Sequence, residues 1–282
     1  MGGRPRRARP RVGAAGREGP ARRPRQAQAR SLGGEQVEGR QAVRELLAAR
    51  TRRTREVWIA EGTEPSPALR EIAALAGRSR ASLRWVGRGQ LDKAARTDAP
   101  QGVLARADPL PEADLEALVR PRRPGGQPPF LMVLDGVTDP HNLGALLRTA
   151  VGAGVTGVVL PRHRAAHVTP AVTKAAAGAV EHLPMAVAAG IPSALATLAG
   201  SGVWTVGLAE DGDRSVFDLE LADQAVAVVL GSEGRGLSRL VRARCDVVAA
   251  IPLAGPLSSL NVAAAGAIAC FEFARRRGER GV

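Results

Sequence analysis

Polar residues able to do chemistry concentrate in three short stretches of the chain's second half. "LDGVTDPHNLGALLRTA" (134–150) carries Asp139-Pro140-His141-Asn142 and then Arg148. "GSEGRG" (231–236) sets Glu233 in a glycine-rich turn, and "IPLAGPLSSLNVAAAG" (251–266) runs from Ile251 through Ser258, Ser259 and Leu260 to Asn261. Each follows an apolar, strand-like run, and in an α/β protein ligands bind beyond the carboxyl ends of such strands. The spacing G-x-x-G-x-G is not the dinucleotide fingerprint, and no Lys-Ser or Lys-Thr follows it as a phosphate loop would need. Glu233 would also repel a phosphate. A ligand with adenosine, no phosphate and a positive centre turns that carboxylate into an asset, and S-adenosylmethionine meets both conditions. A glycine-rich turn with a solvated Glu reads equally naturally from this segment alone.

The first stretch allows two helix starts. In one, Asp139 is the N-cap and Pro140 the first helical residue. Arg148 then stacks seven residues after His141 on the same face, and Asn142 points elsewhere. In the other, which is favoured, Asn142 is the N-cap and is free to aim at a ligand. His141 tempts as a general base, but a lone His after Pro is more often a loop hydrogen-bonder. In the third stretch Ser258 or Ser259 can cap a helix. Asn261 would fall in its first turn, where Asn is a poor residue unless it has a task, such as satisfying a loop carbonyl. The small residues Ala263 to Ala267 permit close approach of another helix or a ligand. No His/Cys/Asp cluster has metal-ligand spacing, so no metal is expected.

The elements that must position these residues alternate after Phe130. Strands are predicted at 130–135, 156–160, 183–188, 203–208, 225–230 and 247–252, with helices at 142–153, 169–181, 191–200, 236–244 and 258–277. Near-continuous apolar strands such as "AVAVVLG" imply a parallel sheet covered on both faces. Before it, "EQVEGRQAVRELLAAR" has Val37, Val43, Leu46 and Leu47 at helical spacing. Strands at 57–60, 82–86 and 102–107, and a helix capped by Ser66 and begun by Pro67, complete a smaller α/β unit. "VRPRRPGGQPPF" (119–130) reads as a linker.

The formal net charge is +13, from 40 basic and 27 acidic residues. Residues 1–33 hold ten Arg and one acid, a net of +9, which leaves +4 for the rest. All basic residues except Lys93 and Lys174 are Arg, which suits bidentate phosphate contact, although a GC-rich genome would bias composition the same way. The tail lacks the apolar core of a secretory signal, and no apolar run is long enough to span a membrane. A cytoplasmic protein with a disordered basic arm is expected. Cys245 and Cys270 lie far apart in apolar contexts and read as buried thiols in a reducing compartment.

In order and separation, the three polar stretches resemble the three signature motifs of the SpoU-type RNA 2′-O-ribose methyltransferases of the knotted SPOUT superfamily. The resemblance covers about residues 35–278 and looks closest to the branch that methylates a guanosine of bacterial 23S rRNA. It implies a trefoil-knotted parallel-sheet methyltransferase domain, preceded by a small RNA-binding α/β domain similar to the ribosomal L30e fold. The implied division is a basic disordered tail at 1–34, the L30e-like domain at 35–108, a linker at 109–128 and the methyltransferase domain at 129–278. S-adenosylmethionine is the implied cofactor, and a homodimer formed through the methyltransferase domain the implied assembly. Asn142 and Arg148 would face the target ribose, Glu233 would organise the pocket, and Ser259 and Asn261 belong to the third motif. Groups near Gly231, Ile251 and Leu260 would hold the cofactor. One departure is Gln41 in "GRQAV", where the family often has His or Asn.

The family mechanism often casts the first-motif Arg as the base. Neutralising an Arg near pH 7 costs about 7 kcal/mol, so Arg148 is either that base or a cation that docks a phosphate and stabilises the forming alkoxide. Rival readings are the same chemistry on tRNA or another rRNA nucleotide, as in antibiotic-resistance relatives, and an RNA-binding assembly factor without catalysis. The intact Asn142, Arg148, Glu233 and Asn261 argue against the last. With no Tyr and few other aromatics, recognition by base stacking is disfavoured.

Overall fold

The computed structural model describes residues 31–121, 126–163, 167–256 and 259–279. The body of the expected basic tail, residues 1–30, lies outside them.

The first part of the chain builds a four-stranded sheet from β1 (Gln36–Glu38), β2 (Thr54–Ala60), β3 (Ser82–Val86) and β4 (Val103–Ala107), in the order β1-β4-β2-β3. Helices α1 (Arg40–Ala49) and α2 (Pro67–Ser79) cover the face that carries Val57, Ile59 and Val103. Helix α3 (Arg88–Ala94) covers Trp58, Ala60 and Leu104 on the other face. Val37 departs from the predicted helix. Gly39, at φ 93°, turns the chain, so Val37 pairs in β1 while Val43, Leu46 and Leu47 form the buried stripe of α1. Ser66 caps α2 by accepting from the Leu69 amide at 3.3 Å, with Pro67 in the first turn, where its missing N–H costs nothing.

After the short α4 (Leu115–Leu118) come β5 (Phe130–Asp135), α5 (Pro140–Gly152), β6 (Gly157–Pro161), α6 (Pro170–Ala175), β7 (Met185–Ala188) and α7 (Ile191–Gly200). Then follow β8 (Trp204–Leu208), β9 (Arg214–Ser215), β10 (Val226–Gly231), α8 (Arg239–Arg242), β11 (Val247–Ala250) and α9 (Val262–Glu279). The seven strands pair in parallel in the order β7-β6-β5-β10-β8-β11-β9. Alternation divides the side chains between two layers. Met132 and Leu134 face α5, α6 and α9 with Leu143, Leu146 and Phe273, while Leu131 and Val133 face α7 with Leu195 and Leu198. Strand order reverses between β5, which leads to β6 and β7, and β10, which leads to β8 and β11. That is the topological switch point, where such sheets open a crevice. Register places Asp135 beside Gly231 at its carboxyl edge.

Several sequence expectations need correction. The helix predicted over 169–181 stops at Ala175, because Ala177 (φ 50°) and Gly178 (φ 83°) turn left-handed before a 3₁₀ turn at Ala179–His182. The helix predicted over 236–244 keeps only Arg239–Arg242, since the turn with Gly234 and Gly236 at positive φ precedes it. The strand predicted over 247–252 ends at Ala250. The tail boundary at 34 is too late: Leu32 is buried in the second sheet's core, and Gly33 bridges Val168. Of the predicted linker at 109–128, the part up to Leu118 is packed onto the rest of the chain. Leu110 and Leu118 are buried, and the Ala113 amide donates to Met185 O at 2.8 Å. Cys270 is fully buried, but Cys245 only partly so. Among the described residues no helix is long and apolar enough to cross a membrane.

Candidate active site

Helix α5 starts one turn earlier than the favoured sequence reading. Asp139 Oδ1 accepts from the Asn142 amide at 2.8 Å, and Pro140 occupies the first helical position. Asn142 therefore does not cap the helix; it is the third helical residue. Its side chain still reaches the crevice, because first-turn side chains fan around the helix end. Asn142 Nδ2 donates to Glu233 Oε1, and Asn142 Oδ1 accepts from Asn261 Nδ2 at 3.1 Å. Asn261 is itself the cap of α9, its Oδ1 accepting from the Ala263 and Ala264 amides at 2.8 and 3.4 Å. The task that an Asn at this place demanded is thus met by capping, not by Ser259, which precedes the helix by three residues. Ser258 lies outside the described residues.

The three polar stretches join in one chain of hydrogen bonds, Asn261 to Asn142 to Glu233. The carboxylate is its terminal acceptor. Two helix N-termini flank the chain, and both favour negative charge there.

Glu233 is held by a tight turn. Ser232 N donates to Gly236 O at 3.0 Å, and Gly236 N returns the bond to Ser232 O at 2.9 Å. Gly231 admits no side chain, because a Cβ there would lie 2.1 Å from the Gly236 carbonyl carbon. Asp135 Oδ2 accepts from the Ser238 amide at 2.8 Å and ties the end of β5 to the entry of α8.

Beside this network lies a cavity of about 660 Å³. Of the residues singled out from sequence, it is lined by Gly231, Glu233, Ile251, Ser259, Leu260 and Asn261. Asn142 stands at its edge through its two partners. Arg148 does not line it: it is exposed on the outer side of α5, six residues and roughly 9 Å of helix rise beyond Asn142. Sequence reading missed the loop after β8, where Leu208, Ala209, Glu210 and Asp211 form a cavity wall, and Arg242 of α8. "GLAEDGD" reads locally as a solvated acidic turn. The signal that could have found it is the parallel sheet, which brings the carboxyl end of β8 to the same edge.

The volume is in the range of small-ligand pockets, roughly 300–1,000 Å³. Its lining offers apolar surface from Leu208, Leu230, Leu253 and Val262 for a flat base. Three carboxylates, Glu210, Asp211 and Glu233, face two cations, Arg235 and Arg242, so the wall favours a positive ligand over a polyphosphate. The residues present fit an adenosyl sulfonium. Among the described residues no cluster of His, Cys, Asp and Glu could hold a metal.

Burial pushes the Cys270 thiol up to about 12, and burial followed by Asp246 pushes Cys245 up to about 11, so neither is poised as a nucleophile.

The model of the SpoU rRNA Methylase family matches residues 129–271. A second model, RNA 2′-O ribose methyltransferase substrate binding, matches residues 36–113. The 23S rRNA (guanosine-2′-O-)-methyltransferase RlmB of Pseudomonas putida is 38% identical over 246 residues, 86% of this chain and 97% of that one. The structure of a putative RNA methyltransferase of the TrmH family from Porphyromonas gingivalis superposes with a TM-score of 0.69 at 29% identity, covering 86% of this chain and 89% of that one. The SpoU methyltransferase AviRb from Streptomyces viridochromogenes, in complex with the cofactor AdoMet, gives 0.71 at 26% identity over 86% of this chain and 90% of its own.

Proposed function

The chain belongs to the SpoU rRNA Methylase family, and we propose that it methylates the ribose 2′-hydroxyl of a guanosine in 23S rRNA, using S-adenosylmethionine. The observation that carries this reading is the Asn261–Asn142–Glu233 chain at the mouth of a cavity that favours a cation. Mapping ribose methylation across total RNA with and without the protein tests it. A single new 2′-O-methylguanosine in 23S rRNA is expected. A new mark confined to tRNA, or none, would overturn the substrate.

S-adenosylmethionine, when bound, supplies a methyl group already activated by a sulfonium. The protein's task is then to place the hydroxyl in line and to manage its proton. Asn142 spends one amide hydrogen on Glu233 and one lone pair on Asn261. The remaining hydrogen and lone pair of that amide can hold the ribose hydroxyl in a fixed direction. Glu233 fixes which way the amide faces. Gly231, Ile251 and Leu260 hold the cofactor through the cavity wall, and Ser259 contributes a hydroxyl beside them. Arg148, on the outer side of α5, acts as a cation that docks a backbone phosphate beside the target.

Residues 35–108 serve as an L30e-like substrate-binding domain and 129–278 as the methyltransferase domain. The convergence of residues 231–238, 251–256 and 259–261 on one sheet edge, with α9 returning over α5, supports a trefoil knot in the latter. A homodimer covers the outer face of α5 and α9, where Val151, Ile268 and Phe271 are 36, 36 and 51% exposed. Such a partner would lie beside Arg148 and complete the surface on which the target strand docks. The protein works in the cytoplasm, where its RNA is made.

A further inference from the structure

The loop Ala209–Asp213 joins β8 to β9 and carries three acids, Glu210, Asp211 and Asp213. Left alone, such a loop would spread under its own charge, yet it forms one wall of the cavity. Three fastenings hold it. Ala209 N donates to Ala249 O at 3.0 Å. Gly212 seats against β11, where a Cβ would approach the Ala249 carbonyl carbon to 2.4 Å. The third is a side-chain bond across the cavity wall. Arg242 Nη1 donates to Asp211 Oδ1 at 2.7 Å, and Nη2 approaches Asp211 O at 3.5 Å. Both residues line the cavity, so the pair stitches the loop after β8 to the wall formed by the glycine-rich turn and α8. Hydrogen bonding to Arg242 also holds the Asp211 carboxyl below its usual range.

We propose that Arg242 and Asp211 form a positioning clasp that shapes the adenosine half of the cofactor pocket. The proposal rests on the cofactor reading above. The half follows from the sheet. The reacting end lies at Asn142 and Glu233, above β5 and β10. Strands lie roughly 4.8 Å apart, so the carboxyl ends of β8 and β11 are one and two strands further on. The cavity extends there between Leu208 and Ile251, with apolar lining that suits a purine. The amino-acid arm of the cofactor is left to the other side. The pair is exposed enough that its share in global stability is small. Its effect is local: it fixes where the wall stands before the ligand arrives.

Calorimetry with S-adenosylhomocysteine and with 5′-methylthioadenosine, which lacks the amino-acid arm, tests the clasp. Arg242→Ala should weaken both ligands by about tenfold. Its melting temperature should stay close to wild type, and its affinity for RNA should not change. Asp211→Asn, nearly isosteric, should act in the same direction, and the double variant should be no worse than Arg242→Ala, as expected for two halves of one contact. Arg242→Lys keeps the charge without the fork and should recover part of the affinity. Unchanged affinity in Arg242→Ala, additive losses in the double variant, or a loss confined to S-adenosylhomocysteine would each overturn the proposal. If wild type bound neither ligand, the cofactor reading itself would fail, which is a separate result.

Discussion

Replacing Glu181 should cost far more than its small size suggests. Glu181 lies in the 3₁₀ turn beside the seven-stranded sheet, and Arg52 follows α1 beside the four-stranded one. Their side chains are 0 and 3% exposed. Arg52 Nη2 donates to Glu181 Oε1 at 2.6 Å and Nε to Oε2 at 2.9 Å, while Nη1 donates to Gly34 O and Asp108 O at 2.6 and 2.5 Å. One guanidinium therefore ties both ends of the first sheet's segment to the second. Truncating one partner of a buried pair typically costs about 3–5 kcal/mol, because the other charge stays buried and unpaired. Arg52 would keep its two carbonyl partners, which points to the lower end, about 3 kcal/mol. Against a typical total of roughly 5–15 kcal/mol that is a large fraction.

Urea unfolding of Glu181→Ala reads this loss directly. Glu181→Gln keeps the shape and one acceptor and should lose about 2 kcal/mol. The double variant Arg52→Met/Glu181→Leu removes both charges and leaves the Gly34 and Asp108 carbonyls and the more weakly held Thr51 hydroxyl under-satisfied, so it should be more stable than Glu181→Ala alone. In activity assays, Glu181→Ala should raise KM for RNA and leave cofactor affinity near wild type, because the contact orients one sheet against the other and is remote from the cavity. A loss within about 0.5 kcal/mol, as for a surface pair, or a double variant worse than the single, would refute the reasoning.

Arg148→Ala should abolish methyl transfer while leaving S-adenosylhomocysteine affinity nearly intact by calorimetry. Arg148→Lys should show weakened RNA binding and little recovery at high pH, whereas activity climbing with pH would identify Arg148 as the base instead. Gly231→Ala must displace the Gly236 backbone from 2.1 Å, so it should lose cofactor binding at least tenfold in calorimetry even where the protein stays folded. For Cys270 burial raises the folded thiol to about 12 from an ordinary value of 9.0, so its stabilisation is present below pH 9 and is lost as pH rises towards 12. Cys270→Ala should flatten that alkaline decline in urea melts, and an unchanged slope would exclude the thiol as its cause. Deleting residues 1–30 removes ten Arg and Glu18, and should flatten the salt dependence of RNA binding without changing the nucleotide methylated; a changed nucleotide would contradict a purely electrostatic role.

What was legible in the sequence follows the physics of each segment. The inner strands of the parallel sheet are buried on both faces, so their apolar runs announce them, and Phe130–Asp135 and Val226–Gly231 fall within a residue of their predicted spans. Helix starts were harder, because Asp139 and Asn142 both carry cap chemistry and only the position of Pro140 distinguishes the two starts; the rule that Pro prefers the first turn decides for Asp139. At α9 the same chemistry misled in reverse, since Ser259 looks like a cap and Asn261 is one. Leu32 hid at the end of an Arg-rich run, where a single apolar residue has no periodicity to show its burial. The wall after β8 could not be read locally at all. Glu210 and Asp211 gain meaning only from a sheet order that sets β8 beside β10.

The same sheet order separates the two tasks of the enzyme. Asn142, Glu233 and Asn261 bond to one another, so they arrive already oriented, and the one charge among them, the Glu233 carboxylate, lines the cavity that favours a cation. They solve direction. A positive charge to meet the RNA must come from elsewhere, and the first-motif cation Arg148 stands on the outer side of α5, away from the cavity. Helices α5 and α9 both begin at the network and carry the exposed Val151, Ile268 and Phe271 further along. A second copy covering that face would therefore set Arg148 against the docking strand only once the assembly has formed. Binding the cofactor would then be a property of one chain, and activating the ribose a property of the assembled pair with its RNA.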